Sequence, residues 1–256
     1  MFKPIWSIAA NTFREIIRDR ILYGIGVFAL LLMGVSVALG SLSFAEQSRI
    51  AANFAITGVH LSVAVLSIFV GSTLVTKELE KKTIMTLLAR PISRWQFLLG
   101  KALGLTMINV VVVFALSLVS LLVFVGLGVD PSARFLVSLY GVLLEGVVLM
   151  GLALFFSGFA TPIVVSSCCV GLYLVGHWLD SLSYFFDKQS GELIYYVTTG
   201  MTYVLPNLER FNWRTLAIYP DPIPWKSVYA STFYGLTWFF FLVFATYLVI
   251  RRKDLG

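Results

Sequence analysis

Few side chains in this chain can do chemistry, and they stand far apart in the sequence. It holds two histidines, His60 and His177, and two cysteines, Cys168 and Cys169. The cysteines are adjacent and sit inside an apolar run, which supports neither a disulfide framework nor a four-ligand zinc site. They are expected to be small buried hydrophobes. A metal site at the histidines would need carboxylates brought in by folding, and none is expected. Glu145 is the one acid deep within a long apolar run. A charge there costs roughly 2.5–3.5 kcal/mol on insertion scales, so such a residue faces a bundle interior or a wet cavity. It is a candidate polar element of a pathway or subunit interface, or a neutral carboxyl hydrogen-bonded to a neighbouring helix. His177 and the serines of nearby spans are its candidate partners. Gly100-Lys101 is the one Gly-Lys pair. Trp95 holds the place of the first glycine of a phosphate-binding loop and Ala102 follows the lysine, so the chain cannot cradle nucleotide phosphates this way. HExxH, GxSxG and CxxC are absent as well. No catalytic residue, cofactor or metal is therefore assigned to the chain, and it is not expected to be an enzyme.

The elements that must position these residues are membrane helices. Hydrophobic residues make up 59% of the chain and charged ones 12%, about half the usual share of a soluble domain. Mean hydropathy is +0.90. The net charge of +6 comes from basic residues lying between apolar runs, a pattern of membrane orientation rather than nucleic-acid binding. The sequence predicts an all-α polytopic membrane protein of a single transmembrane domain. Its six transmembrane helices cover 21–43, 53–76, 102–126, 135–157, 162–181 and 227–250. The fourth and fifth come from one apolar run, split where Gly158 and Thr161-Pro162 punctuate it, with proline in the first turn of the new helix. An even count puts both termini on one side. That side would carry 13 of the 19 Lys and Arg residues, so both termini are expected in the cytoplasm. The apolar run of the first span starts too late and runs too long for a cleaved signal peptide.

Three segments lie outside the spans. Residues 1–20 predict an N-terminal amphipathic elbow helix for the headgroup layer: Trp6, Ala9, Ala10, Phe13, Ile16 and Ile17 share an arc opposite Lys3, Asn11, Arg14 and Arg18. Residues 182–226 hold ten aromatics, which predicts a distal helical cap between helices 5 and 6. Residues 77–101 form a cytoplasmic loop of 25 residues, longer than a simple turn needs. Ile84, Leu87 and Leu88 follow helical spacing, so a short amphipathic helix is expected from about Lys81 to Ala89, ended by Pro91. Ser93 can cap the next helix, which runs through Gly100 into the third span. Gly100 and Gly104 form a small-xxx-small pair that permits close helix approach. An apolar-faced helix in a loop of this length predicts a docking surface.

The residues of that loop carry a resemblance. Glu78-x-Glu80-Lys81-Lys82-Thr83, then Leu87-Leu88, then Arg90-Pro91-Ile92-Ser93-Arg94, then Leu98-Leu99-Gly100-Lys101, resembles the cytoplasmic loop of ABC-2 type transporter permeases. Lys82 departs from the glycine that many members carry before the threonine. Within that family the chain most resembles the permeases associated with multicopper-enzyme maturation and nitrous oxide reductase assembly, in which Leu205-Pro206-Asn207-Leu208-Glu209-Arg210-Phe211 also has its likeness. The resemblance implies a permease subunit of an inner-membrane ATP-binding cassette transporter that exports or extracts a substrate. A separate ATPase subunit would bind ATP and magnesium. Ile84, Leu87 and Leu88 would anchor the loop helix in that subunit, with Glu78, Glu80, Lys81, Thr83, Arg90, Pro91 and Arg94 around it. Six spans are half of a transporter, so a second permease copy in the bilayer is implied. Two alternatives stand beside this one. The first is an ABC complex that moves no cargo and transmits ATP-driven motion to an extracytoplasmic partner protein. The second is a proton-coupled secondary transporter using Glu145.

Overall fold

In the computed structural model, residues 2–41, 46–80, 93–126, 128, 132–187, 192–219 and 221–252 are described. Eight α-helices account for most of them: α1 (Phe2–Ile17), α2 (Arg20–Ser41), α3 (Gln47–Glu80), α4 (Arg94–Gly126), α5 (Ala133–Ser157), α6 (Pro162–Asp187), α7 (Glu192–Val204) and α8 (Trp225–Arg252). Two single 3-10 turns, Glu209–Phe211 and Arg214–Ala217, precede α8. The architecture is all-α, and five helices are long and apolar enough to cross a membrane: α3, α4, α5, α6 and α8. A helix satisfies its own backbone donors and acceptors, which hydrocarbon cannot do.

Several boundaries follow from local chemistry. Ser93 and Gln96 form a reciprocal capping box: Gln96 N–H donates to Ser93 Oγ at 3.2 Å and Ser93 N–H to Gln96 Oε1 at 3.1 Å. The expected Ser93 cap is present, and α4 starts at Arg94, inside the segment that the sequence treats as loop. α6 opens on Pro162, whose missing N–H costs nothing in a first turn. It runs on to Asp187, past the apolar run that predicts it. α3 has 34 residues and is about 51 Å long, well beyond a hydrocarbon core of about 30 Å.

α3 and α5 are the most enclosed spans. α3 meets α2, α4, α5 and α6, while α5 also packs on α8. One apolar core joins Leu66, Leu105, Met150 and Phe239 from α3, α4, α5 and α8. A second binds α5 and α6 to the stretch after α7 through Leu208, Phe211, Trp213 and Leu216. A third, with Met33, Val59 and the Phe124–Phe135 ring pair at 4.9 Å, fixes α2 on α3 and closes α4 on α5.

The small-residue pair of α4 receives α1. A Cβ on Gly100 would stand 2.6 Å from Ile8 Cβ, and one on Gly104 would stand 2.7 Å from Thr12 Cβ. The matching four-residue steps mean that α1 runs in the same direction as the first turns of α4. Ala9, Thr12 and Ile16 are buried in this contact, whereas Trp6 is 62% exposed. The apolar arc therefore divides into two faces about 110° apart at 100° per residue. Ile8, Ala9, Thr12 and Ile16 meet protein, while Trp6 and Ile17 point away. Lys101 is buried at the same seam, and its ammonium lies 3.7 Å from Glu15 of α1.

Gly104→Leu should force α1 off α4, at a cost of about 1–3 kcal/mol for overpacking. The measurement is thermal unfolding of the detergent-purified chain. Gly24→Ala, with nothing within 4 Å of the new Cβ, should be neutral or slightly stabilising.

Candidate functional site: a buried histidine–glutamate cluster

Glu145 is 1% exposed, at the middle of the apolar stretch of α5. Folding gives it two histidine neighbours. His60, midway along the apolar stretch of α3, places Nε2 2.7 Å from Glu145 Oε2. His177 of α6 places Nε2 3.5 Å from Glu145 Oε1. The imidazoles meet edge to face, with centroids 5.4 Å apart. Tyr173, one turn before His177, lays its ring 4.6 Å from the His177 ring and 6.0 Å from the His60 ring. The His177 side chain keeps 14% of its surface, against 2% for Glu145.

Hydrogen bonding fixes part of the protonation pattern. His177 Nδ1 is 3.0 Å from the Tyr173 carbonyl, which can only accept, so Nδ1 carries a proton. In the neutral ring Nε2 then holds a lone pair, and it faces a carboxylate oxygen. Among the described residues, neither Nε2 of His177 nor Oε1 of Glu145 has a hydrogen-bond partner, and His60 Nδ1 has none either. One proton on His60 Nε2 satisfies the 2.7 Å contact. Nothing equivalent joins the 3.5 Å pair.

Close packing fixes the turns that carry the cluster. Gly146, next to Glu145, abuts Asn109 and Val63, with no room for a side chain. Asn109 Nδ2 donates to the Leu143 carbonyl at 3.2 Å, tying α4 to the same turn of α5. The turn of α6 that carries His177 is held from the other side. Leu208 N–H donates to the Gly176 carbonyl at 3.1 Å, and Asn207 Nδ2 donates to Asp180 Oδ1 at 2.6 Å. Asn207 N–H also donates to the Tyr234 hydroxyl of α8 at 2.8 Å, and Arg210 stacks over that ring at 4.8 Å. Thus the Leu205–Phe211 run that stands out in the sequence clamps α6 to α8. Ser138 of α5 adds a bond from its hydroxyl to the Trp213 carbonyl at 2.6 Å.

The expected loop residues fall elsewhere. Lys81, Thr83, Ile84, Leu87, Leu88, Arg90 and Pro91 lie outside the described residues. Glu78 and Glu80 belong to the last turn of α3, and their side chains lie outside the described set. Arg94 is described: its guanidinium donates from Nη1 to the carbonyls of Ile250 and Arg251, both at 3.0 Å. It thereby binds the start of α4 to carbonyls at the C-terminal end of α8, where a cation is favoured. Of the cysteines, Cys169 is buried as expected, but Cys168 is exposed on the outer side of α6.

Five long apolar helices around a polar cluster at mid-depth define a polytopic α-helical membrane protein. The sequence profile of the ABC-2 family transporter protein matches residues 6–179, and the chain belongs to that family of membrane permeases. Membership agrees with the expectation that the chain is not itself an enzyme. No curated protein matches the chain. The matched region takes in most of α1, all of α2 to α5, most of α6 and all three cluster residues.

The His60–Glu145 contact should appear as coupling in a double-mutant cycle. His60→Ala and Glu145→Ala should each destabilise the fold, with a joint cost smaller than their sum by about 1 kcal/mol or more. Chemical unfolding in detergent gives the three differences, and strict additivity would show that the contact contributes nothing.

Proposed function

We propose that the chain is the permease subunit of an ATP-binding cassette transporter, driven by a separate ATPase subunit through residues 77–101. Membership of the ABC-2 family over residues 6–179 carries this reading, because members of this family pair with an ATPase in the bilayer. The lengths of the flanking helices support it. α3 continues to Glu80 and α4 begins at Arg94, so a push on the intervening segment acts on two continuous helices. In this reading Ile84, Leu87 and Leu88 insert into the ATPase. Glu78, Glu80, Lys81, Thr83 and Arg90 surround that anchor, and Pro91 ends the helix. Arg94 ties the docking edge to α8.

α2 is the sixth span of the proposal. Its 22 residues reach about 33 Å, enough for one crossing. Both termini then face the cytoplasm of a cell with the protein in its inner membrane, and residues 182–226 form the distal cap. A second copy completes the pathway. The surface shared by α3 and α6 supports that pairing: Thr73, Ser166 and Ser167 line a groove among Phe69, Ile163 and Val170. The multicopper-enzyme-maturation subgroup remains the proposed specialisation, on the likeness of Leu205–Phe211. The clamp made by that run also favours a second reading, in which ATP-driven motion passes through the cap to an extracytoplasmic partner and no cargo moves.

The loop assignment is tested by changing Leu87 and Leu88 together to Asp. The variant should insert normally and lose the ATPase subunit on purification; stoichiometric co-purification would overturn the assignment. A chain that transports unaided on an ion gradient, with no nucleotide-consuming companion, would instead establish the proton-coupled alternative through Glu145. ATP-dependent cargo movement in vesicles separates the two cassette readings, since the motion-transmitting one predicts none.

A further inference from the structure

We propose that His60, Glu145 and His177 form an intramembrane binding site for one divalent transition-metal ion of the zinc class. One ligand atom from each of the three residues, an imidazole nitrogen or a carboxylate oxygen, lies within 4.8 Å of the other two. Two imidazoles and a carboxylate are a donor set for such ions, at roughly 2.0–2.2 Å per bond. A contraction of roughly 1–1.5 Å between the farthest donors reaches tetrahedral spacing. That is within the reach of side-chain rotation.

Two features of the cluster point to a cation rather than to a simple hydrogen-bonded carboxyl. The lone pair of His177 Nε2 and Oε1 of Glu145 face each other, buried and without a hydrogen-bond partner. The cluster is therefore one cation short. His177 Nδ1–H is held by the Tyr173 carbonyl. This second bond fixes the tautomer and aims Nε2 in the way metal-ligating histidines are oriented.

Charge supports the same assignment. A divalent ion with one carboxylate leaves a single positive charge in a low-dielectric interior. Three protein donors leave the fourth tetrahedral position open, and an anion such as hydroxide there makes the site neutral. Zinc lowers the pKa of its bound water to about 7, so this anion is available at neutral pH. The ion would tie α3, α5 and α6 together at mid-depth. This inference does not depend on the ATPase assignment.

The chain has only these two histidines, so a histidine-based site can form nowhere else in one copy. The full chain, purified through an affinity tag free of histidine and stripped with chelator, is titrated with cobalt(II). We expect the visible absorption of four-coordinate cobalt, abolished by one equivalent of zinc, and a zinc-dependent rise in the unfolding temperature. His177→Gln should weaken zinc binding at least tenfold. Wild-type protein that shows neither the cobalt band nor a zinc-dependent shift would overturn the proposal, whether or not the variant folds. So would a carboxylic-acid infrared band, removed by Glu145→Gln, that saturating zinc leaves unchanged, since the cluster would then share only a proton.

Discussion

A carboxyl group placed halfway along an apolar helix has to be answered by other side chains, because the surrounding hydrocarbon answers nothing. Glu145 meets this demand by drawing an imidazole from α3 and another from α6. Much of the packing order follows. α5 must lie inside the bundle, and it is the most enclosed span. α3 must lie against it for most of its length, so that His60 arrives at the right depth. α6 buries one face along its length, with Val165 and Cys169 at 0%, and leaves the other exposed, with Ile163 at 80% and Trp178 at 63%. An exposed apolar helix is stable in lipid, where the hydrophobic effect no longer sorts inside from outside.

Without that sorting, contact between helices depends on shape and on hydrogen bonds. Gly100 and Gly104 admit α1, Gly146 admits Asn109, and Gly176 admits Leu208 and the Pro206 carbonyl. At each place a missing side chain lets a neighbour approach to van der Waals distance. Polar bonds then fix the register: Asn109 to α5, Ser138 to the Trp213 carbonyl, and Asn207 to both Asp180 and Tyr234. Asn207 joins two spanning helices that are far apart in sequence through one short irregular segment. Its backbone donors are satisfied there, as non-helical chain in such a place requires.

Five long apolar helices were legible because charge-free runs and proline punctuation are local signals. The Ser93 cap and the Gly100–Gly104 pair were legible for the same reason, although the glycines could not name α1 as their partner. Glu145 stood out by cost alone, and His177 was a candidate partner. His60 was not paired with it, since 85 residues separate the two and no spacing rule links positions on different helices. The N-terminal helix misled in a more instructive way. Its apolar arc reads as one face for the headgroup layer, whereas α4 covers part of it and Trp6 stays exposed. Protein and lipid are both apolar environments, so hydrophobic periodicity cannot distinguish them. Asn109 carried no signal, because an amide in an apolar run acquires its meaning only from the carbonyl it meets.

These contacts also define what can move together. α3 is one unbroken helix from Gln47 to Glu80, and His60 lies 20 residues, or about 30 Å, from its C-terminal end. A displacement of that end shifts His60 unless the helix bends, and in a helix without proline the kink-prone site between them is Gly71-Ser72. His60 touches Glu145, Glu145 faces His177, and the residue before His177 bonds to Leu208. A rigid rod on one side and a clamped loop on the other thus meet at a three-residue polar joint. α3 and α6 also touch directly, through the Ser72 and Ser166 hydroxyls at 2.9 Å and through Ala64, Ile68, Val165 and Cys169 in one apolar core. The polar joint therefore adds α5 to a pair of helices that already hold each other, and a proton or an ion between His177 and Glu145 would stiffen that three-helix contact rather than create it.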